Sequence, residues 1–519
     1  MITYSDNLFA KTKILATLGP ATSDKETIKK LINAGLDGVR LNFSHGTYEA
    51  FDELFERIRQ ACVETSSSVA ILADLQGPKI RVGELSEPEI ELKDGEKIEI
   101  TTEEIEGTAE RISTSYADLP RDAEIGDRVL IDDGLLHLRV VEKGERSIWC
   151  EIVNGGTLKP RKGMNLPGMK LSTPSVTEKD LRDLDYALGD GKRVDFVALS
   201  FVRRAQDIVD LRNWMKARGK VRPLVAKIEK PEAVENFEEI LAVADGVMVA
   251  RGDLGVEMEP FEVPIAQKLI VHRCNAVGKM VITATQMLES MIHNPTPTRA
   301  EASDVANAVW DGTDAVMLSG ETSVGKYPVR AVTMMNDVVM NAEENVQINR
   351  KIEYDPIDDF EERLFDAVNR TVVELSDRIG AAAIVVFTHN GRTARGLSKY
   401  RPHARIIAVT DDFDVMNNLS MKWGVTALYQ EEILRDQEAI DQAVKLTKET
   451  NCVKEGDVVV FTAGAPYSEK TRRNLLRFEV YLTRVLADST SHKGRARPFF
   501  LRAICVGRPR RFILSEKEQ

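Results

Sequence analysis

The sequence predicts an α/β protein built on a (β/α)8 TIM barrel, with an inserted all-β domain and a C-terminal α/β domain. Three observations predict it. Short apolar β-type runs alternate with helix-period segments in eight units. Between Arg81 and Thr173 that alternation stops, leaving β-type runs and turn residues without a long amphipathic helix. From about Tyr354 a second α/β pattern begins. At 519 residues the chain exceeds one ordinary core, so several domains are expected.

The first unit opens with the run Ile14–Thr17, followed by a helix capped by Ser23 or Asp24. Leu36–Leu41 precedes a helix running through Phe51–Cys62, and Val69–Asp74 is the third run. Such alternation implies right-handed βαβ units and a parallel sheet. The insertion is punctuated by Lys93-Asp94-Gly95, Asp132-Asp133-Gly134 and Lys143-Gly144. Alternation resumes at Thr177, a good N-cap. Strands are then expected at Phe196–Leu199, Pro223–Ala226, Val247–Ala250, Met280–Ala284 and Ala315–Leu318, which completes eight. The C-terminal pattern is a helix at Phe360–Asp377, the run AAIVVF, a helix from Thr393, the run RIIAVT, another helix, and Asp457–Thr462. The expected parts are therefore residues 1–81 (barrel), 82–174 (insertion), 175–350 (barrel), 351–487 (C-terminal domain) and 488–519, an extension that is basic from Lys493 to Arg511.

Composition bounds the partners. An apolar fraction of 43% with 29% charged residues is that of a soluble globular chain. A net charge of −12 argues against nucleic acid as the main partner. The five cysteines are scattered and odd in number, which suits reduced thiols in the cytoplasm. The N-terminus lacks a signal-peptide pattern, and no apolar run reaches the ~18–20 residues that span a bilayer, so no membrane is expected.

Barrel active sites lie at the C-terminal ends of the strands. Polar residues fall there with regularity: Arg40, Asn42, Asp74, Glu229, Asp253 and Thr285. Two of the runs end in bursts of charge, Lys227-Ile228-Glu229 and Arg251-Gly252-Asp253. Alternate side chains of an extended segment share a face, so Lys227 and Glu229 point the same way. If the two strands are parallel neighbours, Asp253 arrives beside Glu229 and two carboxylates meet one ammonium. Such a cluster is costly to bury unless something balances it. Paired carboxylates with room for water and substrate oxygens suit Mg²⁺.

The segments TKILATLGPAT, GVRLNFSHG, ADLQGPKIRVG, KGMNLPG, AKIEKPEAV, ARGDLGVE, ATQMLESM and MLSGETSVGKYP, spread from residue 12 to 328, resemble the pyruvate kinase family. The resemblance implies phosphoryl transfer from phosphoenolpyruvate to ADP, giving pyruvate and ATP in the last step of glycolysis. It makes Glu229 and Asp253 ligands of Mg²⁺ (or Mn²⁺), and Lys227 the lysine that stabilises the transition state. Arg40 and Arg81 would bind phosphate, with Arg81 also facing the nucleotide. Gly252, Asp253 and Thr285 would bind the substrate. Lys162, carried by the inserted lid domain, would reach the nucleotide when the lid closes. A homotetramer is implied as well.

Two departures from the family pattern matter. Relatives that bind K⁺ do so at positions matching Asn42, Ser44, Asp74 and the Leu75 carbonyl, with a glutamate where Lys79 stands. Here an ammonium takes that place, so K⁺ independence is expected and Lys79 is the charge substitute. In the C-terminal domain, Thr388, Asn390, Gly391, Arg392 and Thr393 match the effector-phosphate loop. An ordinary helix cap explains those residues nearly as well. The partner loop instead reads YSEKTRRNLLRFEVYL, where Lys470, Arg472 and Arg473 are the available charges. His45 tempts a general-acid reading but is assigned a structural role. Two rivals remain open at this stage: a Mg²⁺-enolate lyase or aldolase, and a catalytically silent metabolite sensor.

Overall fold

Eight parallel strands close into a barrel in the computed structural model, which describes residues 10–189, 194–345, 354–431, 453–454, 456–464 and 476–482. The first three are β1 (Lys13–Thr17), β2 (Gly38–Asn42) and β3 (Ala70–Asp74). The insertion then contributes β4 (Ile90–Leu92), β5 (Lys97–Thr101), β6 (Arg111–Ser113), β7 (Arg128–Ile131), β8 (Leu136–Lys143), β9 (Ser147–Asn154), β10 (Gly156–Leu158) and β11 (Met164–Asn165). The barrel resumes with β12 (Phe196–Leu199), β13 (Leu224–Ile228), β14 (Gly246–Ala250), β15 (Met280–Ala284) and β16 (Ala315–Leu318). Around the barrel the order is β1-β16-β15-β14-β13-β12-β3-β2.

Nearly every barrel strand residue is buried, because one face lines the lumen and the other meets helices. That is why these strands read as continuous apolar runs. Leu15, Leu72, Val225, Met248, Ile282 and Met317 fill the lumen. Two barrel-strand boundaries differ from expectation by two residues, the others by one at most. β13 runs past Ala226 to Ile228, because the Lys227 ammonium is neutralised by carboxylates and the buried strand can continue through it. β2 begins at Gly38 rather than Leu36, since the Leu36 amide still closes the preceding helix turn on the Leu31 carbonyl, 3.1 Å away.

The inserted domain has a six-stranded sheet in the order β11-β7-β8-β9-β5-β6 and a separate pair, β10-β4. Its own core includes Ile98, Ile100, Leu138 and Ile148. The chain leaves and re-enters the barrel side by side, with an antiparallel bridge between Arg81 and Gly163. Buried Asp180 ties the exit to the return. It accepts from the Gly77 amide (3.0 Å) and from the Thr177 amide and hydroxyl (2.8 and 2.6 Å). Thr177 is the N-cap that the sequence implies.

The C-terminal sheet comprises β17 (Ala383–Phe387), β18 (Arg405–Thr410), β19 (Val425–Tyr429), β20 (Val458–Gly464) and β21 (Leu476–Leu482), in the order β19-β18-β17-β20-β21. All pairs are parallel except the last. The sequence reading located β17, β18 and β20 but not β19, a short run, or β21, whose apolar residues are interrupted by Arg477 and Glu479. Lys470, Arg472, Arg473, Cys452, Cys505 and the extension 488–519 lie outside the described residues.

This domain docks on the N-terminal end of the barrel. Met421 packs into the base of the lumen, and a Cβ on Gly38 would stand 2.5 Å from its Sδ, so that close approach requires glycine. Lys13 Nζ donates to Asp37 Oδ1 (3.0 Å) and to the Val425 carbonyl (2.9 Å), joining β1 to β19.

Replacing Asp180 by alanine orphans the Gly77 and Thr177 amides, while the Thr177 hydroxyl can still cap the residue-180 amide. The expected loss is about 2–3 kcal/mol, read as a lower midpoint for the first urea unfolding transition. A wild-type midpoint would show that the clip is dispensable.

Candidate active site

The strand ends converge at the barrel mouth. Asp74, the last residue of β3, is 1% exposed yet charged at neutral pH. Arg40 on β2 grips it with Nε at 2.7 Å and Nη2 at 2.6 Å, while Nη1 donates to Thr17 Oγ1 at 3.1 Å. Lys227 Nζ lies 3.2 Å from the other oxygen, Asp74 Oδ1. Burial alone would raise this carboxyl's pKa, but Lys227 and Arg40 together hold it below the usual range.

Lys227 and Glu229 do share a face, as alternation requires: Nζ and Oε1 are 2.8 Å apart. The second carboxylate on the ammonium is Asp74, however, not Asp253. The helix Arg251–Glu257 starts directly after β14 and carries Asp253 into the mouth, near enough to act electrostatically on both Lys227 and Glu229. Burial would lower the pKa of the Lys227 ammonium, but Asp74 and Glu229 outweigh it and raise the value above that of an ordinary lysine. Burial pushes Glu229 up to about 7, with Lys227 opposing and Asp253 adding to the rise.

Three partners here carried no sequence signal. Ser200, just past β12, accepts from Lys227 Nζ (2.8 Å) and donates to the Leu75 carbonyl (2.7 Å). The Phe201 amide donates to Glu229 Oε2 at 2.7 Å from a left-handed residue with φ of 53°. Thr17 holds Arg40. A serine, an amide and a threonine at strand ends are too common to single out without the fold.

Thr285 Oγ1 accepts from the Gly252 amide (2.7 Å) and donates to the Ala284 carbonyl (2.6 Å). Thr285 and Gln286 have φ of 68° and 54°, conformations that non-glycine residues rarely hold without a functional or packing reason. Arg81 Nη1 donates to the Arg161 carbonyl at 3.0 Å, and Lys162 Nζ pairs with Asp132 at 2.8 Å. Both cations are therefore engaged within the inserted domain. Between that domain and the barrel mouth lies an open cavity of about 820 Å³, lined by Lys79, Asp133, Gly252, Asp253 and Gln286. The inserted domain touches the barrel through Asn165, whose Nδ2 donates to Glu257 Oε1 (2.9 Å), an oxygen that also takes Lys230 Nζ (2.8 Å).

Three of the four positions of the monovalent-cation pattern have oxygens already engaged internally. Asn42 Oδ1 accepts the Ser44 amide at 3.0 Å, Asp74 is shared by Arg40 and Lys227, and the Leu75 carbonyl takes Ser200. Burial lowers the pKa of His45, and the charges of Lys79, Arg81, Arg40 and Lys179 lower it further. It is a neutral ring among four cations, in keeping with a structural role.

In the C-terminal domain, Gly391 (φ 74°) precedes the helix Arg392–Lys399. The Gly391 amide donates to Thr388 Oγ1 (2.9 Å) and the Arg392 amide to Asn390 Oδ1 (3.1 Å). The Arg392 guanidinium pairs with Glu362 at 2.6 Å and stacks over Phe365. Thr393, also in the first turn, is 8% exposed.

Comparison with known proteins fits this geometry. A family profile described as pyruvate kinase, barrel domain, matches residues 9–332, and one described as pyruvate kinase, alpha/beta domain, matches residues 366–478. The pyruvate kinase of Geobacillus stearothermophilus is 45% identical over 473 residues, covering 91% of this chain and 80% of the relative. That of Staphylococcus aureus (strain MRSA252) is 43% identical over 472 residues, with the same coverage of 91% and 80%. Among solved structures, a pyruvate kinase from Cryptosporidium parvum superposes with a TM-score of 0.84 at 38% identity, over 92% of this chain and 96% of that one.

Replacing Asp74 by alanine leaves Arg40 and Lys227 facing each other with no charge between them. A buried pair broken on one side costs about 3–5 kcal/mol, so the variant is expected to melt well below wild type in a thermal scan. Unchanged melting would show that the two cations find another partner.

Proposed function

The chain belongs to the pyruvate kinase family and is an enzyme acting on phosphoenolpyruvate and ADP, and on that premise we propose how its barrel mouth carries the reaction. The observation that bears most weight is the Lys227 ammonium, buried, charged, and shared by Asp74 and Glu229, with Asp253 acting on it from the wall of the open cavity. Phosphoryl transfer demands positive charge on the transferring group and stabilisation of the enolate left behind. Lys227 supplies a fixed charge for both. Arg40, oriented by Asp74 and Thr17, presents its guanidinium to phosphate.

Glu229 and Asp253 would hold the divalent ion, Mg²⁺ or Mn²⁺. They are hard oxygen donors, and their mutual repulsion, part of what raises the Glu229 pKa, is what a cation between them relieves. When bound, the ion adds charge against the substrate's carboxylate and enol oxygens. Thr285 and the Gly252 amide, at present bonded to each other, would turn to the substrate. Arg81 and Lys162 would leave the Arg161 carbonyl and Asp132 for the nucleotide as the lid closes and excludes water. A lyase or aldolase on the same barrel would share Glu229 and Asp253 but would need neither of those lid cations. A silent sensor would not need all of Lys227, Glu229 and Asp253.

K⁺ independence is supported by the internal bonds of Asn42, Asp74 and the Leu75 carbonyl, which leave those oxygens already engaged. The Lys79 ammonium, whose charge is felt at His45, would supply the positive field instead. A phosphorylated effector is proposed at Thr388–Thr393. Its phosphate would take the Gly391 and Arg392 amides from the Thr388 and Asn390 side chains. A homotetramer is supported by an exposed apolar stripe, Phe261, Ile265 and Leu269, running onto the helix Val263–Val277. No helix among the described residues is long and apolar enough to cross a membrane, and a cytoplasmic location is proposed on the family's precedent.

A coupled assay for pyruvate from phosphoenolpyruvate plus ADP tests the whole reading. Lys227→Met is expected to lose several orders of magnitude in turnover while divalent-ion binding persists; near-normal turnover would remove Lys227 from its role. In tetramethylammonium buffer free of Na⁺ and K⁺ the wild type is expected to stay active. A rate below about a tenth of that in K⁺, roughly 1.4 kcal/mol, would count against independence. Lys79→Glu should become K⁺-responsive.

A further inference from the structure

Far from the barrel mouth, the junction of the barrel with the C-terminal domain encloses a second cluster of charge. A small cavity of about 10 Å³ is lined by Asn275, Lys279 and Asp314 from the barrel and by Arg395, Arg401 and Lys422 from the C-terminal domain. Lys399 lines it as well, but its ammonium is spent on Asp366 at 3.0 Å. Lys279 Nζ likewise donates to the Leu241 and Ala242 carbonyls.

What distinguishes the cavity is the sign of its unmet bonding. Arg401 Nη2 is engaged by Asp314 Oδ1 (2.8 Å), Asn275 Oδ1 (2.8 Å) and the Gly312 carbonyl (3.0 Å). Its Nε and Nη1 are buried and have no hydrogen-bond partner. Lys422 is 9% exposed, and among the described residues its ammonium forms no ion pair within 4 Å. The carboxylate nearby is already in use: Asp314 Oδ2 takes the Val281 amide at 2.8 Å while Oδ1 takes Arg401. Ser398 Oγ spends its proton on the Trp423 carbonyl at 2.7 Å and offers the cations only a neutral lone pair.

A guanidinium and an ammonium have donors only. The open valences at this junction are thus all N–H groups, on cations removed from water. Neither a metal ion nor a neutral donor can satisfy them. A single water can accept only two hydrogen bonds and brings no charge to offset burial. An anion accepts from every side and neutralises the excess. The cavity admits an occupant about the size of one water molecule, which points to a halide rather than a phosphate or a metabolite carboxylate.

We infer that Arg401 and Lys422 form a halide-binding site between the barrel and the C-terminal domain. Burial lowers the Lys422 pKa to about 8, against the pull of Asp314 and with Arg395 and Arg401 adding to the fall; an anion beside it restores the charged form. The same burial lowers Arg395, with Arg392 adding to the fall and Asp245 opposing it. Lys422 follows Met421, the residue seated in the base of the lumen, so a bound anion fastens the C-terminal domain where it plugs the barrel.

Crystals of the full chain soaked in sodium bromide test this directly. An anomalous peak is expected between Arg401 Nη1 and Lys422 Nζ, and it should vanish in Lys422→Met. In solution, wild type should melt higher in chloride than in gluconate at matched ionic strength, and Lys422→Met should lose that difference. Bromide on the surface with only water in this cavity would overturn the proposal. So would a peak that persists undiminished in Lys422→Met. The wild-type soak decides the matter even if the variant does not fold.

Discussion

One buried carboxylate organises the mouth of this barrel. Asp74 sits between Arg40 and Lys227, and without it two cations would face each other with only Glu229, on the far side of Lys227, to balance them. The strand order explains how the three meet. Arg40 is on β2, next to β3, but Lys227 is on β13, with β12 lying between β3 and β13. Ser200, at the end of that intervening strand, fills the gap by contacting Lys227 and the Leu75 carbonyl. The charged chain Arg40–Asp74–Lys227–Glu229 therefore spans consecutive staves, and only a closed parallel barrel places their C-terminal ends together. Each member is held by the next, so under the proposed function the positive charge offered to substrate is positioned before substrate arrives. Preorganisation of this kind spares the reorganisation that a flexible lysine would need during the reaction.

The alternation of apolar runs with helical segments carried the barrel, because strands buried on both faces have no choice but to be apolar throughout. The same alternation placed Glu229, Asp253 and Thr285 at one end. What it did not carry was the pairing. Sequence spacing put Asp253 against Lys227, since strand-end carboxylates on adjacent strands look equivalent; the register and the helix after β14 instead give that contact to Asp74. Ser200, Phe201 and Thr17 were invisible for a related reason. Their roles come from the charged side chains that neighbouring strands bring to them, and no residue type announces that. The strand β21 was missed because its charges interrupt the run at alternate positions, a pattern that a solvated loop shares.

The opposite end of the barrel has a different logic. Lumen side chains close the interior, but the base is completed from outside by Met421, which a glycine at position 38 admits. Lys13, paired with Asp37 beside that plug, donates to the Val425 carbonyl of β19, so one buried ammonium ties β1 of the barrel to an edge strand of the C-terminal sheet. A domain attached this way cannot shift without disturbing lumen packing. Packed interiors switch between arrangements rather than deform smoothly. Any signal from the C-terminal domain to the mouth thus has a physical route through the barrel strands themselves.

The inserted domain's contacts with the barrel sort by what it costs to break them. Near the hinge they are buried. Asn165 shares the Glu257 carboxylate with Lys230, and Arg203 Nη1 donates to the Leu171 carbonyl at 2.6 Å. At the rim they are exposed: Arg128 with Glu259 across the gap, and Lys162 with Asp132 inside the domain. Exposed pairs are worth about 1 kcal/mol or less, whereas a buried carboxylate stripped of a partner costs several times that. A rigid-body swing therefore gives up the rim and keeps the hinge. Under the proposed function, this is the arrangement a lid requires: Lys162 is released at little cost to meet phosphate, while Glu257, with one oxygen still unsatisfied, stays at the pivot.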